Sequence, residues 1–132
     1  MIDRARLETI SYAALRIVAG FMFLFHGTQK LFSFPVAKEM PALWSQKWFG
    51  GVIELVAGSL IMLGLFTRPA AFIASGMMAV AYIQFHWKGA LGMDLLPLVN
   101  RGELAALYCF VFLLIWAKGA GSISIDRQLG RA

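Results

Sequence analysis

His26 and Lys30 stand four residues apart in FLFHGTQKLF (residues 23–32), an otherwise apolar stretch. That spacing puts an imidazole and an ammonium on one face of a helix. Glu54 sits in VIELVAG with no polar neighbour, Gln84 and His86 lie in YIQFHWK, and Glu103 lies in NRGEL. Carboxylates and imidazoles in apolar surroundings can exchange protons near neutral pH, and together with a lysine they can hydrogen-bond a polar head group. Two histidines on separate segments could in principle hold a haem or a metal ion. No Cys–His spacing motif or acidic ligand pattern accompanies them, so neither is expected. Gly-rich phosphate loops, nucleophile elbows and zinc motifs are absent. The single cysteine, Cys109, excludes an intramolecular disulfide or a C-x-x-C redox pair and reads as a small core side chain.

These groups need elements to carry them. The chain has 132 residues, 60% of them hydrophobic and 14% charged, with a mean hydropathy of +0.72. Soluble domains are about 45–50% apolar and about 25% charged. The composition therefore points to a membrane protein, and the length suits one compact unit. The net charge of +5 comes from scattered basic residues rather than a stripe. With no nucleic-acid motif present, nucleic-acid binding is not expected. Four apolar segments stand out, at about 10–32, 50–66, 69–87 and 102–118. They lack strand alternation and are rich in Leu, Ala, Met and Phe, and open strands could not satisfy their backbone groups in lipid. The expectation is an all-α, four-helix transmembrane bundle that occupies the whole chain as a single domain. Several segments are shorter than the ~20 residues of a perpendicular span, a difference that flanking tryptophans and snorkelling lysines make up. Asp3 and Glu8 among Arg4 and Arg6, with no small-residue cleavage site following, argue against a cleavable signal.

The connections differ in kind. Residues 67–69, TRP, make a tight inner turn, with Pro69 suited to the first turn of a helix. The two outer connections are longer. Residues 33–48, SFPVAKEMPALWSQKW, read as an interfacial amphipathic segment, and residues 88–101, KGALGMDLLPLVNR, as a loop marked by Gly and Pro. Four spans place both termini on the side of the short turn. Arg4, Arg6, Arg16, Arg68, Lys118, Arg127 and Arg131 lie there, against Lys30, Lys38, Lys47, Lys88 and Arg101 opposite. Seven basic residues against five favour both termini inside. Taking Arg16 as the inner boundary, His26 lies ten residues, or ~15 Å, further along the helix. His26, Lys30, Glu54, Gln84, His86 and Glu103 then fall at similar depth on four helices. Ionisable residues within a span face the bundle interior and pair, so a polar pocket is expected in the outer half. Ion pairs that only fix register between helices, or side chains that snorkel, would satisfy the same pattern. Phe-His recurs at 25–26 and 85–86, and Glu-Leu at 54–55 and 103–104, as a duplicated hairpin would have it. Gly20, Gly58, Gly64 and Gly76 are expected to permit close helix approach.

Read in order, RIVAGFMFLFHGTQKLF, GVIELVAGSLIMLGLFTRPAA and GELAALYCFVFLLIWAKGAGSISID resemble the DoxX family of small bacterial membrane proteins over residues 16–126. The most specific matches are His-Gly-x-x-Lys-Leu at 26–31, Glu54 with Gly58, and Gly-Leu-x-Thr-Arg at 64–68. Gly119, Gly121, Ser124 and Asp126 add to them. The resemblance implies a four-helix bundle of the bacterial inner membrane, described in relatives as an oxidoreductase or quinone-linked subunit. The name-giving members belong to a thiosulfate:quinone oxidoreductase, and mycobacterial members to a membrane oxidoreductase complex handling thiol stress. More distant animal relatives resemble chaperones or cargo receptors. Carried over by position, the motif's polar residues are His26, Lys30, Glu54, Arg68 and Glu103, with Gln84 and His86 beside them. On that reading His26, Glu54 and Glu103 are the candidate catalytic, proton-exchanging groups. Lys30, Arg68, Gln84 and His86 are candidate contacts to a quinone, whose tail the phenylalanine-rich first span would line. Implied partners are the bilayer, a redox or other protein, or further copies of the chain. A reading from another class is a non-catalytic assembly factor or scaffold whose pocket receives a partner's helix or tail. A small-solute transporter fits less well, because no Gly/Pro-broken span is evident. With Cys109 alone, a thiol mechanism like that of vitamin K epoxide reductase cannot run on this chain by itself.

Overall fold

The computed structural model describes residues 1 and 3–131. Helix α1 runs over Arg4–Phe32, α2 over Gln46–Leu63 and α3 over Thr67–Ala81. The last continues without a break into a π-helical turn, Tyr82–Trp87, followed by a 3-10 turn at Gly92–Leu95 and the short α4, Pro97–Asn100. Helix α5 spans Glu103–Lys118, and the single turn α6 spans Ile125–Gln128. The chain is all-α, with no strand among the described residues. Among them, α1, with 29 residues, is the one helix long and apolar enough to cross a bilayer by its own length and composition. It begins earlier than the apolar pattern suggests because Asp3 accepts the Arg6 N–H at 2.7 Å, capping the first turn. Ser45 starts α2 in the same way, accepting the Trp48 N–H at 3.2 Å. The preceding stretch, residues 33–45, is irregular, and Trp44, Trp48 and Phe49 pack together at its end, with ring centroids 4.8 and 5.2 Å apart.

The helices pack as two close pairs, α1 along α2 and α3 along α5. Glycines set the first pair. A Cβ on Gly20 would lie 2.7 Å from the Gly58 carbonyl oxygen, and one on Gly27 would lie 2.7 Å from that of Gly51. Seven residues apart on α1, these glycines let the two backbones touch. Of the four glycines expected to do this, Gly20 and Gly58 do. Gly76 instead faces open space, and Gly64 is the left-handed C-cap of α2, with φ 69°. Alanines 70, 71 and 74 thin the buried face of α3. Helix α1 meets α5 chiefly through Phe23, whose ring lies 5.3 Å from that of Tyr108 and 4.7 Å from that of Phe112. Large apolar side chains such as Phe21, Phe72, Leu107 and Phe110 point outward. So extensive an apolar exterior suits a lipid surrounding and not water.

Both termini and the α2–α3 turn lie at one end, here the terminal end; the 33–45 and 88–102 connections form the loop end. A buried polar knot closes the terminal end. The Arg16 guanidinium, only 1% exposed, donates through Nη1 to the carbonyls of Ile61 and Met62 and through Nη2 to that of Ile123, at 2.6, 2.8 and 2.5 Å. Arg16 thus satisfies carbonyls that α2 leaves open at its C-terminus and opposes the negative end of its dipole. Asp126 does the converse for α3, accepting the Phe66 and Thr67 N–H groups, each at 2.9 Å. Tyr12 ties α1 to the same tail by donating to the Gly119 carbonyl at 2.6 Å.

Candidate functional site

At the loop end a cavity of about 820 Å³ opens among α1, α2, α5, the π-helical turn and the connection that precedes α2. Its deepest charged group is Glu54, 3% exposed, on the buried face of α2. One carboxylate oxygen accepts from the Lys30 Nζ at 2.6 Å, while the other is buried with no hydrogen-bond partner. Tyr108, one α-turn before Phe112 on α5, also lines the cavity, and its buried hydroxyl has no partner either. His26 stands edge-on to the Tyr108 ring at 6.2 Å, one helical turn before Lys30. Lys38, Glu39, Lys47 and Arg101 rim the mouth, while Phe23, Met78 and Leu104 supply apolar wall. Buried polar groups are nearly always paired, so two orphans lining one cavity mark a place for a hydrogen-bonding ligand.

His86 reaches the cavity from the π-helical turn. There the Lys88 N–H bonds the carbonyl five residues back, on Ile83, at 2.9 Å. The residue so inserted turns the following side chains by about 100° from their α-helical bearing. Asn100 braces the turn, donating to the Tyr82 hydroxyl at 3.0 Å, while its carbonyl lies 3.4 Å from His86 Nδ1.

Of the residues singled out in the sequence, the fold brings His26, Lys30, Glu54 and His86 to this cavity. Three others stand apart. Gln84 is exposed and accepts from the Gln46 side chain at 2.6 Å, and Glu103 is exposed on the first turn of α5, outside the cavity wall. Arg68 is in the first turn of α3, at the terminal end. It is about 27 Å by helical rise from His86. The repeated dipeptides therefore agree at the two histidines and part at the glutamates, one buried and one exposed. Tyr108 was not legible in the sequence, since a tyrosine within LYCF reads as one more aromatic of an apolar run.

The DoxX family model matches residues 11–87. The chain belongs to the DoxX family. The match takes in α1, α2, α3 and the π-helical turn, and hence every cavity element except α5. A protein of Haemophilus influenzae is 44% identical over 123 residues, covering 88% of this chain and 88% of its own. A second, from Mycobacterium tuberculosis and named an uncharacterized membrane protein, is 31% identical over 137 residues, covering 92% of this chain and 82% of its own. No solved structure matches the chain. The motifs singled out in the sequence divide between the two ends. The polar residues of His-Gly-x-x-Lys-Leu, with Glu54, build the cavity, and Gly27 of the same motif brings α1 against α2. Gly-Leu-x-Thr-Arg and Ser-x-Asp build the knot: Gly64 has no room for a Cβ, which would lie 2.5 Å from that of Ser124. Asp126 caps Thr67 there.

Proposed function

We propose that this DoxX protein spans the bacterial inner membrane four times, with both termini cytoplasmic, and that its loop-end cavity binds the head group of a quinone as the membrane subunit of an oxidoreductase. The unpartnered Glu54 oxygen and Tyr108 hydroxyl, buried on two helices that line one cavity, with His26 beside Tyr108, carry the reading. A quinone supplies carbonyl acceptors, and its reduced form hydroxyl donors, with two electrons and two protons between them. Tyr108 can donate to a carbonyl, the free oxygen of Glu54 can accept from a hydroxyl, and His26 can hold or release a proton near neutral pH. Lys30 fixes the Glu54 carboxylate so that one oxygen stays available. The electrons belong to a partner protein. Phe23 supplies apolar wall to the cavity, and the exposed Phe21 and Leu107 on α1 and α5 would flank a tail. The orientation rests on the basic residues, seven at the terminal end against five.

Glu54→Gln and Tyr108→Phe test the reading. Lys30 has a side chain 28% exposed, so it can reach water once Glu54 is neutral, and Tyr108 loses no bond on becoming Phe. Both variants should fold as the wild type does. Mass spectrometry of the protein released from mild detergent should find a quinone on the wild type, and binding of a short-chain ubiquinone should weaken about tenfold or more in each variant, as for an unmatched buried polar group. Undiminished binding in both would sink the proposal. Retention of a protein partner and no quinone would favour the scaffold reading instead.

A further inference from the structure

The terminal end has a cleft of its own, of about 600 Å³, on the far side of the molecule from the His26 cavity. Arg68 of α3, Lys118 of α5, Arg127 of α6 and Arg131 surround it, four cations from separate pieces of the chain. None forms a salt bridge among the described residues. The carboxylate within the cleft, Asp126, has both oxygens engaged by the Phe66 and Thr67 N–H groups. Three of the cations lie against groups that leave their charge intact. Lys118 Nζ lies 4.9 Å over the Tyr12 ring, and the Arg131 guanidinium 4.4 Å over the Phe66 ring. Arg68 lies across Gly119, where a Cβ would come 3.0 Å from its Nε. Gly119, at φ 81°, serves both the backbone turn and the passage of that side chain. Gathering four like charges around a concave surface is unfavourable unless an anion joins them.

Immediately below the charges the surface turns apolar. Phe72, one turn along α3 from Arg68, is 59% exposed and its ring lies 5.7 Å from that of Trp116 of α5, itself 42% exposed. A cationic hollow above an aromatic ledge matches a ligand with an anionic head and an apolar tail. We propose that this cleft binds an anionic phospholipid, its phosphodiester between Arg68 and Lys118 and an acyl chain against Phe72 and Trp116. Arg suits the phosphate through paired N–H donors, and basic pockets at helix ends hold anionic head groups in this way. The inference rests on the bilayer-spanning reading and is independent of the quinone.

The test uses the full chain in non-ionic detergent, titrated with phosphatidylglycerol, phosphatidylethanolamine or inorganic phosphate and read by native mass spectrometry. Phosphatidylglycerol should be retained about tenfold more than phosphatidylethanolamine, and Arg68→Gln with Lys118→Gln should reduce it to the phosphatidylethanolamine level. Arg127→Gln changes an exposed side chain with no side-chain bond among the described residues, and should lower retention without touching the fold. Equal retention of the two lipids, or unchanged phosphatidylglycerol binding in both variants, overturns the proposal. So does competition by inorganic phosphate alone, which would make the cleft a site for a soluble anion. Loss of every lipid from a chain that stays soluble without detergent would strike the spanning reading itself.

Discussion

Asp126 shows how one side chain sets the pH response of an end of the molecule. Burial by itself would raise the Asp126 carboxyl, but the Thr67 and Phe66 hydrogen bonds and the nearby Arg131 more than offset it and hold it below its ordinary value. A carboxyl depressed on folding contributes its full stability above the unfolded-state value and loses it as pH falls through the folded one. That window lies below about pH 4. Thermal unfolding in detergent should therefore be insensitive to this group from pH 5 upward and weaken in acid, with Asp126→Asn already weakened at pH 7 by about 1–2 kcal/mol, the worth of a helix cap. An Asp126→Asn curve that keeps the acid-dependent drop of the wild type would contradict this. His26, Lys30 and Glu54 could be picked out from sequence because polar residues are rare in apolar runs. Arg16 and Asp126 could not be read correctly: both resemble charges flanking a span, and their task is visible only when Arg16 is seen to meet the carbonyls of residues 45, 46 and 107 positions away.

At the level of elements, the α1–α2 contact and the π-helical turn decide where the cavity residues stand. A Cβ on Gly58 would meet the Leu24 backbone nitrogen at 2.6 Å, whereas one on Gly76 would meet nothing within 4 Å. Gly58→Ala should separate α1 from α2 and destabilise by about 1–3 kcal/mol, as overpacking does. Gly76→Ala should be neutral or stabilising by up to about 1 kcal/mol through helix propensity alone. Melting temperatures of the two variants in one detergent decide the point, and equal values would remove the claim that these glycines act by contact. The sequence marked four glycines with one expectation and could not rank them, because a helical glycine looks the same whether a neighbour or lipid faces it. The helical character of the four apolar segments, by contrast, was legible, while the capping residues Asp3 and Ser45 start α1 and α2 several residues before the apolar pattern does. The π-helical turn was not legible, since one extra residue per turn leaves no compositional trace in YIQFHW.

The whole molecule keeps its two polar regions at opposite ends of an apolar body, and the proposed orientation can be tested at both. Single cysteines placed at Glu39 and Lys88, in a Cys109→Ala background, should react with an impermeant maleimide added outside cells. One at Arg127 should react only after the cells are opened. Labelling of Arg127 from outside would invert the orientation, and labelling of all three alike would deny a spanning arrangement. Family membership was readable from the order of motifs along the chain, and the sequence put Arg68 and His86 on opposite sides, yet the polar knot at the terminal end was not legible, because nothing in the spacing shows that Arg16 and Asp126 meet the ends of α2 and α3.

The knot also orders events during synthesis. The ribosome delivers α1, α2 and α3 first, while the Ile123 carbonyl that completes Arg16 and the carboxylate that caps Thr67, 59 residues downstream of it, emerge later. A nascent chain stopped before residue 123 leaves one end of the Arg16 guanidinium and the start of α3 without their partners, so the terminal end closes only when the last residues arrive.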